Sequence, residues 1–282
     1  MLKIDLDRFP QIKAIHILQN DKIIYNHMEN YHSDELFPVG CIFKSLLSAL
    51  VGVAIYEGRI SSVEDKIADY YPNLPVDDNW KQVKIAHALS KTTGILWPGP
   101  HEKLPDKMTE VFELNIDKTP GTEFLYKPDP QIIAYLLEDI YGISITELAN
   151  MKVLSYISYG SWSWNRENIQ GLQVSIHVLD ELGKIYLHKG MVGTNCIFDE
   201  SYYELSTHEF SKGGFPEGLS YGLGWWTGCY QEMEYYMVSG FGGQILAVIP
   251  DKKIIVSILS EMDRPHPENK EIIHRLIESS TL

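Results

Sequence analysis

The chain has 282 residues, enough for about two domains or for one α/β body with an inserted lobe. Apolar residues make up 44% and charged residues 22%, as in ordinary globular proteins, and no apolar run approaches the ~20 residues that span a bilayer. A formal net charge of -14 repels phosphate backbones, which argues against a nucleic-acid binder.

The predicted elements begin with a hairpin. Lys13-Ala14-Ile15-His16-Ile17-Leu18 is rich in apolar and β-branched residues, Gln19-Asn20-Asp21 is a turn, and Lys22-Ile23-Ile24-Tyr25 starts the return strand. Phe37-Pro38-Val39-Gly40 breaks this pattern. Over residues 41–57, Leu46, Leu47, Leu50, Val51, Ala54 and Ile55 recur at spacings of three and four, which predicts a buried helix ended by Gly58. Residues 60–215 mix helical stretches (83–89, 132–141 and 178–188) with Pro, Gly and Trp loops. Strands return at 234–238, 244–250 and 253–259, with Asp251-Lys252 as the last turn, and a helix over 271–277 closes the chain.

These elements imply an α+β fold. Both chain ends share one antiparallel sheet flanked by helices, and the middle forms an inserted, mostly helical lobe. Residues 1–60 and 230–282 are expected to form the α/β domain, and residues 61–229 the lobe. A site belongs in the crevice between them.

Composition gives little sign of metal or disulfide chemistry. Cys41, Cys196 and Cys229 are odd in number and widely spaced, so neither a disulfide framework nor a C-x-x-C site is indicated. The ten histidines form no H-x-x-x-H or H-E-x-x-H pattern, so no metal and no cofactor is expected. Trp97, Trp162 and Trp164 read as lobe core. The first residues lack a basic stretch followed by an apolar run, so a cytoplasmic location is the simplest expectation, or export if a leader has been removed.

The strongest local chemical feature is Cys41-Ile42-Phe43-Lys44. A nucleophile in the first turn of a helix faces exposed N–H groups and the favourable end of the dipole. A lysine three residues on lies one turn away on the same face. Its ammonium lowers the thiol pKa, or its neutral amine takes the thiol proton. Composition alone favours a buried structural cysteine beside a surface lysine.

The surrounding phrases change that balance. Phe37-Pro38-Val39-Gly40-Cys41-Ile42-Phe43-Lys44-Ser45 resembles the aromatic-x-V-x-S-x-x-K-S phrase of the β-lactamase-like serine hydrolases. This family includes class C β-lactamases, D-alanyl-D-alanine carboxypeptidases, esterases and amide hydrolases. Further similar phrases are Ala88-Leu89-Ser90-Lys91-Thr92-Thr93-Gly94-Ile95, Leu182-Gly183-Lys184-Ile185-Tyr186-Leu187 and Tyr221-Gly222-Leu223-Gly224-Trp225-Trp226. The resemblance runs from about residue 12 to residue 262. It implies Cys41 in the place of the catalytic serine, with Lys44 as its partner base.

The family's second motif, Y-x-N or Y-x-S after P-G-x-x-F, is matched by Pro120-Gly121-Thr122-Glu123-Phe124-Leu125-Tyr126-Lys127-Pro128. The resemblance makes Tyr126 a general acid or base. Pro128 departs from the pattern and removes a polar contact. The third motif, K-T-G or H-x-G, is matched by Val238-Ser239-Gly240-Phe241-Gly242-Gly243-Gln244, in the style of 6-aminohexanoate-oligomer hydrolases. The resemblance implies a substrate-binding and oxyanion segment of Ser239, Gly240, Phe241 and Gln244, with the Phe241 and Cys41 N–H groups as the oxyanion hole. Gly240 is expected to admit the substrate backbone. Val238 lacks the charge that binds a β-lactam carboxylate, so a dedicated β-lactamase is not expected.

Three readings of the cysteine stay open. Cys41 is an active thiol in a hydrolase or acyltransferase for an amide, ester or similar acyl bond of a small or peptide-like substrate. Alternatively, serine is the functional residue, and the larger sulfur misplaces the nucleophile. In the third reading catalysis is lost and the fold serves binding. Oligomeric state is not legible.

Overall fold

The computed structural model of the protein describes residues 4–29, 32–99 and 103–279. It opens with the expected hairpin, β1 (Ile12–Gln19) and β2 (Lys22–Met28). The turn is shorter than its sequence suggested. Gln19 pairs with Lys22, and only Asn20 and Asp21 lie between, both at positive φ (49° and 64°). Two such residues give the twist that a two-residue hairpin needs, and Asn and Asp tolerate that conformation best after glycine.

A 3₁₀ turn at Gly40–Ile42 leads into α1 (Phe43–Tyr56). The regular helix therefore starts two residues later than expected, and Cys41 sits in the tight turn that precedes it. Gly40, at φ +51°, makes that turn possible. All of α1 except its last two residues is buried, so it is a central helix with no solvent face.

The middle of the chain holds α2 (Ile85–Ser90), α3 (Met108–Val111), α4 (Pro130–Tyr141), α5 (Ile145–Lys152), α6 (Ile176–Leu187) and α7 (Glu200–Thr207). The sequence reading missed α3, α5 and α7. A legible signal marked α5: the Ser144 hydroxyl accepts the Glu147 N–H at 3.2 Å, the first half of an S-x-x-E cap. By contrast α7 reads Glu-Ser-Tyr-Tyr-Glu-Leu-Ser-Thr, with little intrinsic helix preference, and forms because Tyr202 and Tyr203 are buried.

Six more strands follow: β3 (Ser211–Gly214), β4 (Leu219–Tyr221), β5 (Trp226–Tyr230), β6 (Met233–Gly240), β7 (Gln244–Ile249) and β8 (Ile254–Ser260). With the hairpin they form one eight-stranded sheet in the order β2-β1-β8-β7-β6-β5-β4-β3. Neighbouring strands are antiparallel throughout. The fold class is as expected, but residues 211–229, expected in the helical lobe, instead supply nearly all of three strands to this sheet. Those strands are short and rich in Gly and Ser, so no alternation announced them.

The final helix, α8 (Glu271–Glu278), covers one face of the sheet. Its Ile272, Ile273, Leu276 and Ile277 pack with Ile15, Ile17, Met237, Ala247 and Val256. Each such buried side chain stabilises the fold by roughly 1.5–3 kcal/mol. The other face, with Ala14, Leu18, Leu246, Ile255 and Leu259, meets α1 and α6 in the main core. Burial on both faces explains why β7 and β8 read as unbroken apolar runs. Among the described residues, no helix is long and apolar enough to cross a membrane.

Candidate active site

Cys41 enters the site because its turn is fastened on two sides. Phe37–Pro38 pairs with Gln173–Val174, and the Val39 N–H donates to the Leu172 carbonyl. On the other side Gly240 lies so close that a Cβ there would stand 2.2 Å from the Val39 carbonyl oxygen. A Cβ on Gly40 would lie 3.2 Å from the Phe241 nitrogen. The small size of Gly240 thus serves close contact with the protein's own backbone. This packing also brings the Phe241 amide beside the Cys41 turn. Among the described residues, neither the Cys41 nor the Phe241 N–H donates a hydrogen bond.

Lys44 stands on the first turn of α1, and Tyr126 comes from the loop before α4. The Lys44 ammonium donates to the Tyr126 hydroxyl at 3.3 Å and lies 4.6 Å from the ring centre. The Tyr126 ring stacks on Trp226 at 5.9 Å. Cys41, Lys44, Tyr126, Tyr221, Trp226 and Ser239 share one recess of about 170 Å³. A larger concavity of about 1140 Å³ lies beside α7, lined by Tyr203, Glu204, Cys229 and Glu234 among others, and shares no residue with this recess. Size therefore points away from the chemistry here.

Electrostatics favour the anionic sulfur. Burial pushes the Cys41 thiol up. The charge of Lys44, hydrogen bonds from Lys44 and Tyr126, and the charge of Lys91 outweigh it and hold the thiol below its ordinary value. Tyr126 moves the opposite way. Burial, and then the neighbouring Cys41 charge, raise its pKa, so the phenol keeps its proton at neutral pH and acts as a donor.

Lys91 stands in one of the family phrases, and nothing local in the sequence marks it as a site residue. It ends α2 at φ +60° and is fully buried. Its carbonyl accepts the Leu125 N–H at 2.9 Å, its ammonium donates to the Lys127 carbonyl at 2.6 Å, and that ammonium lies 4.3 Å from the Tyr126 ring centre. One residue thus holds the Tyr126 loop from both sides. The polar group beside Tyr126 comes from Lys91, not from position 128. Burial lowers the Lys91 pKa, and the Lys44 charge lowers it further, against the pull of Asp129 and Cys41. Asp129 is itself anchored, accepting from Trp97 Nε1 at 2.5 Å and the Thr93 hydroxyl at 2.7 Å.

The β6 edge divides its expected residues. The Ser239 hydroxyl faces the recess and donates to Glu217 at 2.6 Å, and the Lys270 ammonium lies 3.1 Å from the same carboxylate. The Phe241 side chain is half exposed. Gln244 does not join the site. It is buried, its Nε2 donates to the Ser260 carbonyl at 2.8 Å, and its Oε1 accepts the Ser260 N–H at 2.9 Å. It clamps β7 to β8. Gln244→Leu is expected to destabilise the protein by about 2–4 kcal/mol in urea unfolding, because two buried backbone groups lose their partners. The alkylation rate of Cys41 should stay unchanged. A lost acyl reaction at unchanged stability would restore Gln244 as a substrate contact.

Known structures share this fold. A presumed 6-aminohexanoate-dimer hydrolase from Bacillus anthracis superposes with a TM-score of 0.80 at 17% identity, covering 98% of this chain and 82% of its own. The octameric penicillin-binding protein homologue from Pyrococcus abyssi gives 0.78 at 17% identity, over 98% and 78% of the two chains. EstCE1, a hydrolase with promiscuous acyltransferase activity, gives 0.75 at 14%, over 97% and 96%. At these identities the likeness is one of fold. No curated protein matches the sequence. The family profile described as Beta-lactamase matches residues 13–168, more than half of the 282, a span that holds Cys41, Lys44, Lys91 and Tyr126. The chain belongs to the β-lactamase family.

Proposed function

We propose that the protein is an acyl hydrolase that works through a thioester on Cys41. The observation that carries this reading is the shared recess of Cys41, Lys44 and Tyr126, in which the thiol is acidified and the phenol is kept protonated. Cys41 starts as a thiolate paired with the Lys44 ammonium. Sulfur attacks the carbonyl carbon, and the oxygen gains charge beside the Cys41 and Phe241 N–H groups. The intermediate collapses as the bond to the leaving group breaks. That group takes a proton from Tyr126, which is refilled from Lys44 across their 3.3 Å hydrogen bond. Lys44, now neutral, accepts a proton from the water that attacks the thioester. The acid leaves, and the thiolate–ammonium pair returns. An amine in place of water gives acyl transfer from the same thioester.

The substrate class follows from the β6 edge. Val238 is apolar, and Ser239 is engaged by the carboxylate of Glu217. The Lys270 ammonium next to it is already paired with that same carboxylate. A neutral ester or amide fits better than a β-lactam acid. The recess leaves no open volume that would take a whole small molecule, so only the reacting acyl end enters it. A cytoplasmic setting suits a free thiol, because that compartment keeps thiols reduced. The test is turnover of p-nitrophenyl esters and anilides beside a cephalosporin reporter. Ester kcat/KM at least about 10-fold above that for the β-lactam is expected. No turnover of either ester or amide contradicts the reading.

A further inference from the structure

On the sheet face away from α8, His16 of β1 pairs in register with Ser257 of β8. Helix α6 crosses above them and carries His177 and Asp180 one turn apart. Asp180 accepts from His16 Nδ1 at 2.7 Å and from the Ser257 hydroxyl at 2.7 Å. His177 Nδ1 lies 3.6 Å from the same Asp180 oxygen that His16 approaches. The two imidazole rings are 5.2 Å apart. His16 and Asp180 are buried, while the His177 side chain remains 29% exposed.

A structural hydrogen-bond network explains only part of this arrangement. It accounts for Asp180 between His16 and Ser257. It leaves His177 Nδ1 too far from Asp180 for a normal hydrogen bond. One donor atom from each of His16, His177 and Asp180 lies within 4.8 Å of the others. Donors bonded to tetrahedral zinc at ~2.0–2.2 Å stand roughly 3.3 Å apart. The observed spacings of 2.7 and 3.6 Å straddle that value.

We propose that His16, His177 and Asp180 bind a divalent transition-metal ion of the zinc class, tying α6 to β1. Two imidazole nitrogens and one carboxylate oxygen are a borderline donor set that suits zinc, not calcium or magnesium. The ion takes its fourth ligand from water on the exposed His177 side. Ser257 holds the second Asp180 oxygen and orients the carboxylate. Coordination needs neutral rings, so binding strengthens as pH rises through the histidine range. The ligands come from positions 164 residues apart, which is why no local histidine motif announced them.

The test uses metal-stripped full chain carrying Cys41→Ser, which removes the acidified thiol as a competing ligand. Cobalt(II) chloride is titrated first, then zinc chloride. One equivalent of cobalt should give visible bands of a four- or five-coordinate ion without a sulfur charge-transfer band, and zinc should abolish them. Zinc at ~100 times its Kd should raise the Tm by about 5 °C or more. Both effects should vanish in His177→Ala, a part-exposed position whose folding is checked by circular dichroism. Absence of binding at ~100 μM metal, a thiolate band, or bands that survive His177→Ala would each overturn the site.

Discussion

Replacing Cys41 by alanine should reduce kcat/KM for an activated ester by roughly 10⁴- to 10⁶-fold, the scale on which removal of a covalent nucleophile acts. The fold should be untouched, since Cys41 is only partly buried and sits in a turn secured by backbone contacts of Val39 and Gly240. Cys41→Ser is the sharper comparison. It keeps a nucleophile next to Lys44 and Tyr126, but shortens its reach and gives up the acidity that the site confers on sulfur. At least a ~100-fold loss is expected if the recess is built around the thiolate. A gain in turnover would show a recess built for oxygen, with the cysteine as the misplaced group.

The second large effect belongs to the two buried lysines. Lys44→Met should lower kcat by about 10²- to 10⁴-fold, because it removes both the proton carrier and the nearest positive charge. It should also change how Cys41 titrates. In the wild-type protein the thiolate forms below the ~8.5 of an ordinary cysteine, so alkylation by iodoacetamide rises with pH early. Without Lys44 that midpoint moves up. Lys91→Met should move it in the same direction by a smaller amount, since the Lys44 charge lowers the Cys41 pKa more than the Lys91 charge does. Equal shifts from the two variants, or no shift from Lys44→Met, would contradict this ordering. A purely structural role for Lys91 would reduce stability and leave the midpoint in place.

The sequence disclosed different parts of the site by different routes. Cys41 and Lys44 were legible because helical spacing and a long family phrase coincide there. Tyr126 was legible only through its phrase. Lys91 stood in view within Ser90-Lys91-Thr92-Thr93, yet nothing local says that a lysine there is buried. Its role depends on a loop 36 residues away, whose Lys127 carbonyl it holds. Trp226 likewise stood within a family phrase with nothing local to mark its role, and Glu217 was hidden altogether. They belong to the short strand region 211–230, where Gly and Ser erase alternation and the strands are defined by their neighbours. Gln244 erred in the other direction. The Gly-Gly-Gln phrase suggested a substrate contact, but a strand's period of two turns that side chain into the sheet interior against Ser260. His16, Asp180 and Ser257 were unreadable in principle, since strand pairing and helix crossing assemble them.

The central claim is that acyl transfer passes through Cys41, and intact-protein mass spectrometry tests it most directly. The protein is mixed with p-nitrophenyl butyrate, quenched in acid within the first turnovers, and digested to locate the adduct. The expected result is a single butyryl group on the peptide carrying Cys41, removed by neutral hydroxylamine as a thioester is, and absent from Cys41→Ala. A folded wild-type protein that hydrolyses the ester with no adduct on Cys41, or with the acyl group on another residue, would contradict it.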